Sequence, residues 1–563
     1  MDIQRVVILI GLAITSYLLV LAWNEDYGQS SQDKPVPAQV ASSPEAGQQS
    51  SDVPDQLPEA EGAEMLPEVD EEIQPTPTED PYQDSVRSNR VVSVKTDVLE
   101  ISIDTRGGDI VRGTLPAYPA ELKTPDVPFL LIDPRNNYAA QSGLIGPDGT
   151  DQARGRPVFN VSRSNYEMGN EDELHVDLTL TTEKGVDIIK RFKFKHGDYL
   201  VEIEYIIDNR TESSWQGALF AQIKRDGKDP VVSEGSRMGL QPYVGAATFT
   251  PDTPYTKLEF DDIAETPYKS KVDGGYMAMV QHYFVTAWIP KGDNTYTWHA
   301  RKLSGNDIYL FGFTTPLWTV GPGEIASKSA LFYAGPKDQY RLEEIAQGLS
   351  LTVDYGFLWW LAQPLFYLLD FIHGMVHNWG VAIILLTVIV KLLLYPLSAA
   401  SFKSMAKMRK LQPEMARLKE RYGDDKQKFS QAMMDLYKKE GANPLGGCLP
   451  ILLQMPVFLA LYWTLMESVE LRQAPFILWI DDLSAMDPYF VLPILMGISM
   501  YLTQMLQPEP PDPVQAKIFK MMPIMFTFFF LWFPSGLVLY WLTNNILSIA
   551  QQWFVTRQLE TGK

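Results

Sequence analysis

Apolar residues follow two rhythms along this chain. From residue 86 to about 345 they alternate with polar ones, as in Val91-Val92-Ser93-Val94, Leu99-Glu100-Ile101-Ser102-Ile103, Val176-Asp177-Leu178-Thr179-Leu180 and Tyr199-Leu200-Val201-Glu202-Ile203-Glu204-Tyr205. Successive side chains of a strand point to opposite faces, so a period of two predicts half-buried strands. Gly107-Gly108, Asp148-Gly149, Lys184-Gly185, His196-Gly197 and Asp208-Asn209 supply turns between them. The expectation for 86–345 is a large all-β domain, a sandwich, long enough for an ample core.

Elsewhere the apolar residues run together. Segments 1–23, 379–397, 446–466, 489–507, 517–533 and 537–555 each contain close to the roughly 20 residues that a helix needs to cross a bilayer. The first ends Leu21-Ala22-Trp23-Asn24-Glu25, without a small-residue cleavage pattern, and reads as a retained anchor. The run 357–376 contains Pro364, Asp370 and His373 and stops about two residues before the helix starting near Trp379. If it spanned, the basic loop 398–445 would lie outside, against the positive-inside rule. Read instead as an interfacial helix in a linker 346–378, with Trp359, Trp360 and Trp379 at the headgroups, it leaves every loop on its expected side. The two termini, loop 398–445, loop 508–516 and tail 556–563 then face the cytoplasm, while 86–345 and loop 467–488 lie outside. The fold class expected is a polytopic α-helical membrane protein with six transmembrane helices and a large all-β sandwich domain.

Charge changes the picture locally. The net charge is -21, and residues 24–85 hold 16 Asp and Glu against Lys34 alone, a composition expected of a disordered acidic tether. Such acidity argues against nucleic-acid binding. The single cysteine, Cys448, excludes a disulfide framework. Loop 398–445 is basic, with 11 Lys and Arg against 6 Asp and Glu. Met405, Met408, Leu411, Met415, Leu418 and Tyr422 recur in steps of three and four, Gly423-Asp424-Asp425 makes a turn and N-cap, and Phe429, Met433 and Leu436 continue a second arm. This predicts a helical hairpin, kinked or restarted at Pro413. It either packs on itself or docks partners through Met405, Met408, Arg409, Lys410, Asp424 and Asp425, methionine being adaptable.

Lys391 lies inside an otherwise uncharged run. A charge at such depth costs roughly 2.5 kcal/mol or more unless it meets water or a partner. Thr387 is one turn earlier on the same face, and Tyr540, Asn544, Ser548 and Gln551 follow steps of four, four and three on the last helix. Gln454 stands between Leu453 and Met455, ahead of Pro456. Singly such residues glue helices together; jointly with Lys391 they line a hydrated cavity.

Several strings in order then carry a resemblance: Tyr395-Pro396-Leu397, Met405-Ala406-Lys407-Met408, Gly423-Asp424-Asp425-Lys426-Gln427, Asn443-Pro444-Leu445-Gly446-Gly447-Cys448, Gln454-Met455-Pro456-Val457-Phe458, Val469-Glu470-Leu471-Arg472-Gln473-Ala474-Pro475-Phe476 and Trp532-Phe533-Pro534-Ser535-Gly536-Leu537-Val538-Leu539-Tyr540. Over about residues 356–556 the chain resembles the YidC membrane protein insertase family of Gram-negative bacteria. The resemblance implies a supersandwich-like periplasmic domain and an inner-membrane insertase and chaperone with no energy source or small-molecule cofactor of its own. Five helices would form the insertase core, around a groove open to cytoplasm and lipid. Lys391, Thr387, Gln454, Tyr540, Asn544 and Ser548 would line it, and the client would leave past Met455, Pro456, Phe458, Phe526 and Phe530 on the third and fifth helices. The implied partners are nascent membrane proteins, the Sec translocon, the ribosome and signal recognition particle pathway, and membrane lipids. One departure stands out: the family's usual Arg is Lys391 here, which keeps the charge but loses the bidentate fork.

Other chemistries lack their residues. The six histidines, His175, His196, His282, His299, His373 and His377, form no H-E-x-x-H motif, and there is no phosphate-binding G-x-x-x-x-G-K-[ST] loop. Ser535 lacks a nucleophile-elbow context and reads as a turn serine. No internal repeat suggests a secondary transporter. A scaffold with a plain anchor has no use for Lys391. The β domain, joined through a tether and an interfacial helix, is expected to be largely dispensable for insertion.

Overall fold

The computed structural model describes residues 86, 90–152, 155–228, 242–292, 294–423, 425–440, 449–507 and 513–560. The anchor 1–23, the tether 24–85, Asp424 and Cys448 lie outside them. The chain divides into two compact units. Of the described residues, one takes those up to Trp359 together with Trp463–Ala474; the other takes those of Trp360–Tyr462 and Pro475–Lys563.

In the first unit, strands form an 11-stranded and a 9-stranded sheet. Alternation builds the flanks. In Asp187–Lys195 and Leu200–Asp208 every second residue is buried. Val201, Ile203, Tyr205 and Ile207 point inward, while Glu202 and Glu204 face out to Lys193 at 3.6 and 2.9 Å. Alternation vanishes in Ala139–Ile145, Phe284–Pro290 and Ile308–Thr314, which are buried throughout. Strands covered on both faces have no need of a polar side. One core cluster joins Val94, Leu144 and Phe311 of the larger sheet to Ile203, Trp288 and Phe332 of the smaller, so the unit is a sandwich. Two short helices complete it, α1 (Phe260–Glu265) and α2 (Gln339–Ile345).

Charges inside this sandwich are matched. Arg156 bridges Asp109 and Asp151, with Nε 2.7 Å from Asp151 Oδ1. Lys190, fully buried, donates to the carbonyls of Gly107 at 2.9 Å and Ser142 at 3.1 Å. Burial pushes its ammonium down to about 7, opposed by the neighbouring Asp109. Gly107 is required here: its φ is 74°, and a Cβ would meet the Arg156 guanidinium at 2.5 Å.

The same unit also holds Trp463–Ala474, which sequence reading divided between a membrane helix and an outer loop. Lys337 and Glu467 pair at 2.7 Å with each side chain 1% exposed, and Lys337 also donates to Thr352 O at 3.2 Å. His282 Nε2 donates to Met466 O at 2.9 Å. Arg472 donates to Pro119 O at 2.7 Å and lies over the rings of Phe129 and Phe284, 5.4 and 5.5 Å from their centroids. The β unit therefore includes a stretch of chain that lies more than 100 residues beyond its last strand. Removing one partner of a buried pair such as Lys337–Glu467 costs about 3–5 kcal/mol, since the other is left uncompensated.

The second unit is helical. Between α3 (Trp359–Val376) and α4 (Trp379–Leu393) stand only His377 and Asn378. His377 takes left-handed backbone with φ 52°, and the Asn378 side chain caps α4 by accepting from Val381 N at 2.9 Å. The ring of His373 stacks on Trp379 at 3.9 Å. After Leu394 the chain bends by 69° into α5 (Tyr395–Tyr422). Among the described residues no single helix is long and apolar enough to cross a membrane by itself; the bent pair α4 and α5 together reaches that mark by length and composition alone.

Helix α5 runs through Pro413 as one element, so no new helix begins there. Its neighbours Met415, Ala416, Arg417 and Leu418 are strong helix formers and carry the turn past the missing N–H. Asp425 caps α6 (Lys426–Lys439), accepting from Gln427 N and Lys428 N at 3.2 and 3.1 Å. The remaining helices are α7 (Leu449–Glu467), α8 (Val491–Met505), α9 (Pro513–Phe529) and α10 (Ser535–Glu560). Helices α8 and α9 approach so closely at Gly497 that a Cβ there would lie 1.9 Å from Thr527 Oγ1. Before α10, Ser535 N donates to Ala485 O at 2.7 Å and Gly536 N to Leu483 O at 2.9 Å. Ser535 Oγ also donates to Ala485 O, so this serine is engaged in a turn.

Candidate functional site

The second unit gathers polar side chains from three helices. Lys391, in the last turn of α4, is 9% exposed and donates from Nζ to Ser548 Oγ on α10 at 2.7 Å and to Gln454 Oε1 on α7 at 3.5 Å. Gln454 Nε2 in turn donates to Asn544 Oδ1, and Ser548 Oγ donates to Asn544 O at 2.7 Å. The spacing explains the arrangement: 544 and 548 are one turn apart, so both face α4 and α7. A lysine at a helix C-terminus also meets the negative end of the helix dipole. Among the described residues no carboxylate lies within ion-pair distance of Lys391; its acceptors are neutral.

The other expected lining residues play different parts. Thr387 Oγ1 donates to Ile383 O at 2.6 Å, satisfied within its own helix. Tyr540 is buried, its ring 6.4 Å from that of Phe458, and its hydroxyl has no hydrogen-bond partner among the described residues. Gln551 reaches Tyr395 O at 3.5 Å and is not joined to Lys391.

Of the expected exit residues, Met455 and Pro456 are exposed on α7. Phe458, Phe526 and Phe530 converge on Trp541, with ring centroids 4.5, 6.5 and 5.4 Å from it. Trp541 was not singled out in the sequence, because one aromatic in an apolar run carries no periodic signal. A second polar seam was also missed. Asn545 Nδ2 donates to Ser499 Oγ at 3.0 Å and Gln552 Nε2 to Leu506 O at 3.0 Å. Their separation by seven residues, two helical turns, was the available signal.

The hairpin divides its expected docking residues. Met405 and Met408 are buried with Phe402 against Val555 of α10, so these methionines are used in packing and are not open to a partner. Arg409 and Lys410 are exposed, and Asp425 serves as the cap of α6. Asp424 is outside the described residues. Among the described residues no cluster of His, Cys, Asp and Glu could hold a metal ion.

The helical unit thus holds a buried cation whose acceptors are neutral. Comparison with known proteins gives the class. The family described as YidC periplasmic domain matches residues 91–368, and the family described as 60Kd inner membrane protein matches residues 371–562. Membrane protein insertase YidC of Ectopseudomonas mendocina is 50% identical over 592 residues, covering 100% of this chain and 99% of the relative. The protein of the same name from Cellvibrio japonicus is 52% identical over 567 residues, with the same coverage. A crystal structure of an active YidC insertase with its first transmembrane domain resolved is 20% identical, covers 82% of this chain and 92% of its own, and gives a TM-score of 0.37. The chain belongs to the YidC family of inner-membrane protein insertases.

Proposed function

We propose that this chain inserts nascent membrane proteins into the bacterial inner membrane and chaperones them, with the Lys391 cluster as the receiving groove. The observation that carries this reading is the hydrogen bonding of Lys391 to Gln454 and Ser548, with no carboxylate among the described residues to neutralise it. A hydrophilic, often acidic client segment supplies the missing charge at a site sheltered from bulk water. Its apolar part then leaves into lipid past the exposed Met455 and Pro456 and the aromatic group of Phe458, Phe526, Phe530 and Trp541.

In this reading six helices span the membrane. They are the anchor 1–23, segment 379–397, and segments 446–466, 489–507, 517–533 and 537–555, the last five forming the core, with α3 lying at the interface. Both termini and the hairpin of α5 and α6 face the cytoplasm, and the β-sandwich is periplasmic. The exposed Arg409 and Lys410 suit an anionic partner such as ribosomal RNA or lipid headgroups. The Sec translocon and the signal recognition particle pathway deliver or share clients.

The test is site-specific crosslinking of a stalled nascent membrane protein. Photoreactive residues at Met455, Phe458 and Phe526 should capture the client, and one at Glu202 on the sandwich should not. Capture at Glu202 alone would refute the groove.

A further inference from the structure

We propose that the loop 475–490 is a lipid anchor, whose tip, Ile477 and Leu478, dips into the outer leaflet where headgroups meet acyl chains. This rests on the reading of α4, α8 and α10 as membrane-spanning helices.

The loop is held at the starts of all three. Asn378 Nδ2, in the cap of α4, donates to Phe476 O at 3.0 Å. The Phe476 ring lies so close to the first turn of α4 that a Cβ at Gly380 would meet it at 2.0 Å. Leu483 O and Ala485 O accept from the backbone that opens α10. The buried Asp487 carboxylate accepts from Leu492 N at 2.7 Å and Tyr489 N at 3.0 Å, at the start of α8, and from Trp479 Nε1 at 3.0 Å. A loop pinned at three helix ends stays near the surface where those helices leave the membrane.

Between the pins the chain makes a tight turn, with Ile480 N donating to Ile477 O at 3.2 Å and Phe476 N to Ile480 O at 2.9 Å. Leu478 is its first central residue, with φ 58°. Glycine or asparagine is the usual occupant of that position, because left-handed backbone penalises a Cβ. Leu478 is 80% exposed, more than any other large apolar side chain among the described residues, and Ile477 is 54% exposed. In water leucine here costs twice, in the backbone and in apolar exposure; among acyl chains only the first cost remains. Tyr489 and Phe490 are exposed just before α8 and suit the headgroup level, where aromatic rings collect. From Phe490 the exposed apolar surface continues in steps of four through Ile494, Ile498 and Leu502, one face of α8. This continuity with a lipid-facing helix favours lipid over a soluble partner. Asp481, three residues beyond Leu478, is exposed and remains in water.

The experiment uses the full chain with Cys448→Ser, in vesicles of phosphatidylethanolamine and phosphatidylglycerol. Leu478→Cys, Asp481→Cys, Ile477→Cys and Ile498→Cys each carry an environment-sensitive fluorophore. Quenchers are lipids with a nitroxide high on the acyl chain, and iodide on both sides of the bilayer. The probe at 478 should be quenched severalfold more by the lipid than by iodide, and the probe at 481 the reverse. Adding Leu478→Asn, which suits left-handed backbone, should lower lipid quenching of the probe at 477 severalfold.

Equal iodide quenching at 478 and 481 overturns the anchor. Shielding of 478 from iodide without lipid quenching also overturns it, in favour of a protein occupant; loss of that shielding at one copy per vesicle identifies a second copy of this chain. Lipid quenching at 477 that ignores Leu478→Asn overturns the role of Leu478. Failure of the spanning reading appears separately, as iodide quenching of the probe at 498, which the anchor's own failure leaves in lipid.

Discussion

The two units each bury a lysine, and they treat it in opposite ways. In the β unit, Lys337 pairs with Glu467 at 2.7 Å, and Arg156 spans Asp109 and Asp151. In the helical unit, Lys391 has a serine and a glutamine. A matched buried charge is spent on the fold, because its partners are fixed by the chain itself. In the reading proposed above, a buried charge with neutral acceptors keeps an attraction in reserve for a client.

The strongest way to break this contrast is to reverse the helical charge. One unit charge at about 4 Å contributes about 4 kcal/mol at an effective dielectric of about 20, so Lys391→Glu should lower insertion of acidic clients by about 100-fold or more. Lys391→Arg should insert normally, since the site has no carboxylate that demands a particular fork. Reconstituted insertion assays with acidic and neutral translocated segments read this directly, and equal rates for all three proteins would remove the electrostatic account.

The sandwich should respond in the other currency. Arg156→Leu leaves Asp109 and Asp151 buried without a counter-charge, and about 3–5 kcal/mol of stability should be lost. Thermal unfolding and protease sensitivity of the β unit measure it. A stable sandwich with impaired insertion would mean that its charges, too, are functional. The smallest effect is expected at the hairpin surface. Arg409→Gln with Lys410→Gln should slow insertion only about two- to fivefold, the scale of exposed charge contacts, and raising salt should erase the difference. A defect that persists in high salt would point to shape and away from charge.

Local periodicity explains what the sequence disclosed. Strands such as Leu200–Asp208 were legible because each residue's face follows from its neighbours, and Asn544 with Ser548 because one helical turn sets both toward the same side. Contacts set by distant parts of the chain were not legible. Nothing around Met405 announces that it packs against Val555, and nothing in Trp463–Ala474 announces Lys337, Pro119 or His282. Pro413 left a kink and a restart both open, and the helix does not restart, because one missing hydrogen bond weighs less than a run of good helix formers on either side.

The link from Leu483 and Ala485 to Ser535 and Gly536 has a consequence for how this protein can vary and move. Those bonds are made by backbone N–H and C=O groups, which every residue but proline possesses. Substitutions at Leu483 and Ala485 leave these groups in place, whereas a Cβ at Gly536 would meet Leu483 O at 3.2 Å and proline at 535 or 536 removes a donor at once. The Lys391 cluster, by contrast, is held by side chains that can exchange partners one at a time. One part of the helical unit is thus stitched and another is only clasped.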